Sequence, residues 1–203
     1  MTVSISRFFR DRKLWGVLQK EILPGLVKKH RQKMSVWSAG CASGEEVYSL
    51  KILWDELNAS LPNLPELEIT ATDLNPVYLE RARAGIYPSS SLKEIPEQFR
   101  SAYFHRKKSI GFYEIKHSLK KAIIWQPQHL LSCPTGSQFH IIFLRNNLLT
   151  YYQDRLKKPA FNKVINQLSV NGFLIIGSHE RLPSERTGLL PYGSLSYVFE
   201  KWE

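Results

Sequence analysis

The sequence has few cysteines and no long apolar run. Its two cysteines, Cys41 and Cys133, offer no disulfide framework and no paired spacing of the kind that binds zinc, so we expect no metal site and a reducing compartment. No apolar stretch approaches the roughly 18 residues that a membrane span requires, and the first ten residues lack the apolar core of a signal peptide. These absences argue against a secreted disulfide scaffold and a membrane-inserted protein, and predict a soluble, cytoplasmic one.

Acidic residues are also scarce relative to basic ones. The 203 residues include 28 lysines and arginines against 18 aspartates and glutamates, which gives a formal net charge of +10. Such a charge favours an acidic partner, either a glutamate-rich protein surface, a nucleic acid or an anionic membrane. The basic runs at 105–108, 120–121 and 155–158 could contact phosphates, but they are scattered among predicted helices and loops. We therefore expect no nucleic-acid partner.

Predicted strands and helices alternate along the chain. The length and the hydrophobic content of 43% suit a single domain, 1–203, with one core. Short apolar runs predict strands near 35–39, 68–73, 138–145 and 172–177. The spacing of apolar residues predicts helices over 11–33, with an interruption near Pro24, and from 45 to before 60. Pro76 is expected to start a helix that runs to about 84, and another helix is expected over 154–168. The alternating segment 194–200 predicts an antiparallel edge strand, and the whole order is typical of an α/β fold.

One region does not fit the alternation. Residues 100–128 are basic, and the segments 112–115 and 122–125 each look like a short strand. We interpret them together as a small antiparallel β-subdomain inserted into the main domain.

The most informative segment is 36–50, which predicts a strand that turns through Gly40 and Gly44 into a helix with an acidic start. Glycine at the carboxyl end of a strand lets backbone approach a ligand, so we expect Gly40 to contact a nucleotide-type cofactor. A pyrophosphate would be repelled by Glu45 and Glu46, which directly follow Gly44. S-adenosylmethionine, with a cationic sulfonium, an amino group and no phosphate, suits these carboxylates better. Glutamates here could also serve only the helix dipole, and for Glu45 both interpretations stay open.

A further carboxylate, Asp73, stands at the tip of the second predicted strand. A carboxylate in that position can accept hydrogen bonds from both vicinal hydroxyls of a ribose. The alternative is a structural role, in which Asp73 caps or turns into the helix that starts at Pro76.

Together these motifs resemble the CheR-type chemotaxis protein methyltransferases, which transfer a methyl group from S-adenosylmethionine to glutamate side chains of chemoreceptors. The resemblance covers nearly the whole chain and rests on motifs in a fixed order, namely Ser6-Arg7-Phe8-Phe9-Arg10-Asp11, the turn 37–50, Ala71-Thr72-Asp73, Ala84-Gly85-Ile86-Tyr87, Tyr103-Phe104, the segment 143–152 and Gly177-Ser178-His179-Glu180. It implies a Rossmann-like class I methyltransferase sheet, S-adenosylhomocysteine as product and glutamate methyl esters. It also implies a monomer whose partners are glutamate-rich cytoplasmic helices of chemoreceptors.

The resemblance implies roles for individual residues. Arg10 matches a family arginine that lies beside the cofactor. Because the transfer depends on positioning, we hypothesise that Arg10 orients a carboxylate of substrate or cofactor and that Tyr151 supports the methyl end of the pocket, which makes them the candidate catalytic residues. Glu46 is expected to hold the cofactor, and Asp73 to bind the ribose hydroxyls. The other expected cofactor contacts, beside Arg10 itself, are Ser4, Ser6, Gly40, His129, Leu130, Asn147 and Leu148.

Some positions depart from the family pattern. His129 stands where the family has asparagine, and either Asn146 or Asn147 can be the contacting residue, of which alignment on the following tyrosines selects Asn147. For one of Tyr151 and Tyr152, core packing is an alternative role. Typical members carry an N-terminal helical domain ahead of the Phe-Phe-Arg motif, whereas this chain begins almost at the motif. An alternative function is therefore a CheR-like cofactor-binding protein that acts on another acceptor or serves as a regulatory interaction module.

Overall fold

The computed structural model describes residues 6–61, 63–132, 138–183 and 188–202. Within these ranges the α-helices are α1 (Arg12–Val17), α2 (Leu23–Lys29), α3 (Glu45–Ser60), α4 (Pro76–Ala84), α5 (Glu97–Tyr103), α6 (Leu148–Tyr151) and α7 (Asp154–Asn166). The strands are β1 (Lys33–Ala39), β2 (Glu66–Asp73), β3 (Ile86–Pro88), β4 (Phe104–Arg106), β5 (Phe112–Ile115), β6 (Ile123–Pro127), β7 (Phe139–Leu144), β8 (Leu168–Ile176), β9 (Leu189–Tyr192) and β10 (Leu195–Lys201).

Seven strands form the main sheet, in the order β6-β2-β1-β7-β8-β10-β9. Strands β6, β2, β1, β7 and β8 run parallel, β10 pairs antiparallel with β8, and β9 pairs antiparallel with β10 at the edge. From β1 the chain moves outward through β2 to β6 and then returns to β7, on the other side of β1. The carboxyl ends of β1, β2 and β7 thus border the crevice where open α/β sheets bind ligands. The predicted α/β fold is confirmed.

The small antiparallel sheet is present, but its strands differ from those predicted. It has the order β3-β5-β4, so it takes one strand from before residue 100. The assignment of 122–125 to this insertion is wrong, because β6 pairs in parallel with β2, with Ile123 beside Ile69 and Trp125 beside Ala71. A four-residue apolar run has the same local pattern in either sheet, and only the long-range partner decides.

The prediction of an edge strand at 194–200 is also wrong. Strand β10 lies inside the sheet, antiparallel to β8 on one side and to β9 on the other. The edge position belongs to β9, which contains Pro191. A proline has no N–H to donate to a second neighbour, so an edge strand accommodates it readily.

The interruption of the first helical segment has a local cause. Between α1 and α2 the helix widens into a π-helical turn (Leu18–Ile22), in which the Leu23 N–H bonds to the Leu18 carbonyl. Pro24 follows directly, and because proline lacks an N–H it breaks the regular ladder of i to i−4 bonds. The two α-helices continue one another across this turn.

The core surrounds the central strands. Trp37 on β1 is fully buried, and its indole N–H donates to the Thr72 hydroxyl on β2 at 2.9 Å, which ties the two strands together just below their carboxyl ends. Tyr48 on α3 is equally buried and donates its hydroxyl proton to the Ala82 carbonyl at 2.8 Å. In the described part of the chain, no helix has the length and apolar character to span a bilayer.

Candidate cofactor site

The site is built where β1 turns into α3. The backbone N–H groups of Gly40 and Cys41 donate to the Thr72 carbonyl at 2.8 and 2.9 Å, which fixes the turn against the end of β2. Gly40 has φ +83° and Gly44 has φ +86°, a region that glycine enters at little cost. A Cβ on Gly44 would lie 2.9 Å from the Ala82 side chain, so close helix packing also requires a glycine there.

Two cavities meet over Gly40. The first, which we call the charged cavity, has a volume of about 80 Å³ and is lined by Ser6, Arg7, Arg10, Gly40, Cys41, Ala42, Glu46, Arg145 and Asn146. The second, which we call the apolar cavity, has a volume of about 170 Å³ and is lined by Gly40, Asp73, Leu74, Gln128, Leu130, Asn147, Tyr151 and Tyr152. A Cβ on Gly40 would collide with the Asn147 side-chain amide at the junction.

The charged cavity contains a largely buried ion pair. The Arg145 guanidinium lies 3.3 Å from the Glu46 carboxylate, with side-chain exposures of only 8% and 18%. Glu46 also accepts a hydrogen bond from Ser38 at 2.8 Å, and Arg145 donates to the Arg10 carbonyl at 3.4 Å. The Arg145 Nε is buried without a hydrogen-bond partner in the described structure. An amino acid zwitterion could exchange with this pair, its ammonium at Glu46 and its carboxylate at Arg145.

The neighbouring Glu45 has a different surrounding. It is 4% exposed, lines neither cavity, and accepts hydrogen bonds from Ser6 and Ser91. Burial raises the pKa of Glu45 above its usual range, although these hydrogen bonds and one from backbone oppose the shift. Glu45 is therefore a buried residue and not a solvated one at the start of the helix.

The segment that carries Arg10 is fastened to α3 around Glu45. The Phe9 N–H donates to the Ser49 hydroxyl at 3.0 Å, and that hydroxyl donates to the Glu45 carbonyl at 2.7 Å. Phe8 is fully buried, and its N–H donates to the Ser91 carbonyl at 3.1 Å. The Phe-Phe part of the motif thus anchors the chain, while the Arg10 side chain stays exposed and lines the charged cavity.

In the apolar cavity, Asp73 is the polar anchor. Its two carboxylate oxygens accept from the Ala42 N–H and the Asn75 N–H, both at 2.9 Å, so the side chain is held in one orientation. The cap of α4 is Asn75, which accepts from Val77 at 3.0 Å, so Asp73 makes a turn but is not the helix cap. Each oxygen keeps a further lone pair, which could accept from a ligand hydroxyl.

Apolar side chains complete that cavity. Leu130 is 6% exposed, whereas Leu74 is 66% exposed although it lines the cavity. A large exposed leucine beside a carboxylate is suited to cover a flat ring system on a ligand.

The other predicted residues divide into those that line the cavities and those that do not. Asn147 lies at the junction, donates to the Ala39 carbonyl and caps α6 by accepting from Leu148. Leu148 is fully buried and lines neither cavity, so its side chain is part of the core. Asn146 lines the charged cavity, so the two asparagines face different sides of the junction. Ser4 lies outside the described residues.

His129 and the two tyrosines are arranged around the apolar cavity. His129 accepts from the Leu131 N–H at 3.1 Å through Nδ1, which leaves Nε2 as the protonated nitrogen of the neutral ring, 3.4 Å from the Tyr152 hydroxyl. His129 itself does not line the cavity, whereas the residue before it, Gln128, does. Tyr151 is 65% exposed and lines this cavity, on the other side of Gly40 from Arg10.

Sequence reasoning missed Arg145 as a site residue, although it belongs to one of the quoted motifs. The available signal was its position directly after the buried strand β7, at the carboxyl end that neighbours β1. Cys41 also lines the charged cavity, but burial, and next the Asp73 charge, raise the pKa of its thiol well above the usual range. The thiol therefore stays protonated at neutral pH and is a poor nucleophile.

The two cavities fit one kind of ligand. Asp73 and Leu74 suit a nucleoside, and the Glu46–Arg145 pair suits an amino acid end. S-adenosylmethionine joins these two parts in one molecule. Asp73 and the apolar wall would hold its adenosine, and Glu46 with Arg145 would hold its methionine end.

Comparison with known proteins points in the same direction. Residues 4–195 match the family described as CheR methyltransferase, SAM binding domain. The chemotaxis protein methyltransferase of Listeria innocua serovar 6a is 37% identical over 182 residues, which cover 90% of this chain and 67% of that protein. That of Vibrio parahaemolyticus serotype O3:K6 is 32% identical over 184 residues, covering 90% and 66%. The chain thus spans about two thirds of the length of these relatives.

A solved structure supports the fold. The N-methyltransferase NodS from Bradyrhizobium japonicum WM9, in complex with S-adenosyl-L-homocysteine, superimposes with a TM-score of 0.50 at 15% identity, covering 95% of this chain and 88% of that one. Identity this low bears on the fold alone. Given the family match over almost its whole length, the chain belongs to the CheR family of methyltransferases, and S-adenosylmethionine is its cofactor.

Proposed function

We propose that this chain transfers a methyl group from S-adenosylmethionine to glutamate side chains of a chemoreceptor, forming glutamate methyl esters. The observation that carries the proposal is the pairing of Glu46 with Arg145 on one side of Gly40 and of Asp73 with an apolar wall on the other. The chemotaxis methyltransferase relatives support the choice of acceptor. The proposal places the reaction in the cytoplasm, with a monomer acting on the glutamate-rich cytoplasmic helices of the receptor.

The methyl transfer requires precise positioning of the acceptor and the cofactor more than it requires acid or base catalysis. A glutamate carboxylate has a reference pKa of about 4.3, so the acceptor is already an anion at neutral pH and needs no general base. The cofactor, when bound, supplies an electrophilic methyl group on a sulfonium. The protein must align the carboxylate oxygen with that methyl group and exclude water.

The proposed roles follow the two cavities. Glu46 binds the cofactor ammonium and Arg145 its carboxylate, while Asp73 binds the ribose hydroxyls. Arg10 lines the charged cavity from an exposed position and orients a carboxylate of the acceptor or the cofactor. Tyr151 is exposed beside Asn147 and supports the methyl end through its ring or hydroxyl. The further cofactor contacts proposed are Ser6, Gly40, Leu130 and Asn147.

Calorimetric titration with S-adenosylhomocysteine is the first test, with the parent protein and the variants Asp73→Ala and Glu46→Ala. Binding by the parent that weakens at least tenfold in both variants supports the site. Binding that is unchanged in both would refute the assigned residues.

Transfer of labelled methyl groups from S-adenosylmethionine to a glutamate-rich receptor fragment tests the acceptor. Methyl esters are released by mild base, whereas N-methyl groups are not, so base-labile label distinguishes ester formation. We expect Arg10→Ala to lower turnover far more than it lowers the free energy of unfolding. Cofactor binding without any base-labile label would instead favour another acceptor or a regulatory module.

A further inference from the structure

A groove next to the charged cavity is not accounted for by cofactor binding. This basic groove, as we call it, has a volume of about 700 Å³ and is lined by Asn146, Leu149, Thr150, Asp154, Lys157, Lys158, His179, Glu180, Arg181, Leu182 and Pro183. Its walls come from α6, from α7 and from the segment that follows β8. Asn146 lines both the basic groove and the charged cavity, so the two spaces adjoin at this residue.

The floor of the groove is a hydrogen-bonded unit. Glu180 accepts from the Asn146 N–H at 2.9 Å and from the Gly177 N–H at 2.7 Å through one oxygen, and from the Thr150 hydroxyl at 2.6 Å through the other. These bonds join the ends of β7 and β8 to α6. Because both Glu180 oxygens accept hydrogen bonds from the protein, this carboxylate has a structural role in the floor of the groove.

The rim carries positive charge that is available to a partner. Lys158 and Arg181 are exposed, and no carboxylate of the described residues lies within 4 Å of either side chain. Lys157 pairs at 3.0 Å with Asp154, but Asp154 is 98% exposed, and such a surface pair contributes little and is easily exchanged. Leu149 and Leu182 add apolar surface between the cationic side chains.

We infer that the basic groove seats the acidic segment that presents the acceptor glutamate. This inference rests on the proposed function and names the surface by which the acceptor docks. A glutamate-rich helix carries carboxylates three and four residues apart on one face, which can meet Lys157, Lys158 and Arg181 while the helix backbone lies over the leucines. A carboxylate at the Asn146 end of the groove would then face the charged cavity and Arg10.

Charge reversal of the two adjacent lysines tests the inference. The double variant Lys157→Glu, Lys158→Glu is compared with Lys28→Glu, Lys29→Glu, an exposed lysine pair on α2 that lines none of the three spaces and gives the same change in net charge. Binding of a glutamate-rich receptor fragment is measured by calorimetry in saturating S-adenosylhomocysteine. We expect the groove variant to bind the fragment at least tenfold more weakly and the α2 variant to change less than threefold, with the affinity for S-adenosylhomocysteine unchanged in both. A fragment in which the glutamates are replaced by glutamine should bind the parent and the groove variant with similar affinity.

The same samples separate this inference from the proposed function. Fragment binding that depends on the groove, without base-labile label on the fragment, would refute the proposed reaction but support the docking surface. Base-labile label with the same KM in parent and groove variant would refute the docking surface and leave the reaction standing. Equal weakening of fragment binding in both charge-reversal variants would also overturn the inference. So would a groove variant that binds the fragment as tightly as the parent but loses salt-sensitive binding to DNA.

Discussion

The two cavities on either side of Gly40 recognise a ligand in opposite ways. In the charged cavity, Glu46 and Arg145 already neutralise one another, and both are largely buried. In the apolar cavity, Asp73 is held by two backbone N–H groups, and Leu74 is exposed without a covering group in the described structure. In the free protein, the Glu46–Arg145 charges of the charged cavity are already paired, whereas the apolar cavity exposes hydrophobic surface to water.

Because of this difference, we expect the two cavities to contribute differently to the affinity and the selectivity of ligand binding. A zwitterion entering the charged cavity exchanges one set of ion pairs for another, so the net gain is small, but a ligand with the wrong charges leaves buried ions unpaired. Covering Leu74 and its neighbours removes apolar surface from water and contributes affinity directly. We expect the charged cavity to determine which ligand binds and the apolar cavity to determine how tightly.

The largest effect is expected from breaking the ion pair. Arg145→Met leaves Glu46 largely buried without its cation, which should lower the free energy of unfolding by about 3 kcal/mol and weaken S-adenosylhomocysteine binding at least a hundredfold. Denaturant titration and calorimetry measure the two quantities.

The double variant Glu46→Gln, Arg145→Met separates folding from recognition. Removing both charges should restore most of the lost stability, because no buried ion is then left alone. Binding should stay weak if the pair recognises the zwitterion. A double variant that binds as tightly as the parent would show that the pair is only structural.

A smaller effect is expected at the junction. Gly40→Ala places a Cβ at φ +83° and against the Asn147 amide, so it should cost about 1–2 kcal/mol of backbone strain and also weaken binding of S-adenosylhomocysteine about tenfold or more. Gly111→Ala is a matched control, because Gly111 has the same φ but no atom within 4 Å of the added Cβ. Both variants should lose stability through the same backbone strain, Gly40→Ala more so because its Cβ also collides with the Asn147 amide, and only Gly40→Ala should lose affinity. Equal affinities would mean that the junction does not contact the ligand.

A more modest effect is expected at the apolar wall. Leu74→Ala removes a side chain that is exposed in the free protein, so stability should hardly change, while the affinity for S-adenosylhomocysteine should fall severalfold, equivalent to about 1 kcal/mol. Leu190→Ala, at a leucine on β9 that is 53% exposed, is the control and should leave binding unchanged. Similar affinities for the two variants would remove Leu74 from the site.

The sequence predicted those parts of the molecule that depend on local pattern. The apolar runs of β1, β2, β7 and β8, the apolar face of α3 and the proline at the start of α4 identified these elements correctly, and α7 was also predicted. The membership of β6 in the main sheet could not be read, because it depends on pairing with a strand more than fifty residues earlier.

At the site, the limit was again long-range contact. The pair between Glu46 and Arg145 joins residues 99 positions apart, and nothing local to either residue indicates it. Glu45 and Glu46 are adjacent on α3, yet a step of one residue turns the side chain by about 100° around the helix, so one is buried behind the cavity and the other lines it. Whether a carboxylate faces ligand or core was therefore decided by packing.

The smallest predicted effect concerns Glu45 and depends on pH. Because burial raises the pKa of Glu45 in the folded protein above its unfolded value of about 4.3, the folded state binds more protons at pH values between the two. The contribution of Glu45 to stability therefore becomes less favourable as the pH rises from the unfolded pKa through the folded pKa.

Glu45→Gln removes this titration while keeping a group that can bond to Ser6 and Ser91. In urea titrations at pH 4.5, 6.0 and 7.5, we expect the free energy of unfolding of the variant to increase relative to that of the parent as the pH rises. Glu80→Gln, at an exposed position of α4, controls for the loss of one negative charge. A difference between Glu45→Gln and parent that is constant across the three pH values would contradict the raised pKa. Since Glu45 lines neither cavity, the affinity for S-adenosylhomocysteine should change little, so a large loss of binding would show that fastening the Ser6–Arg10 segment to α3 is itself part of recognition in the charged cavity.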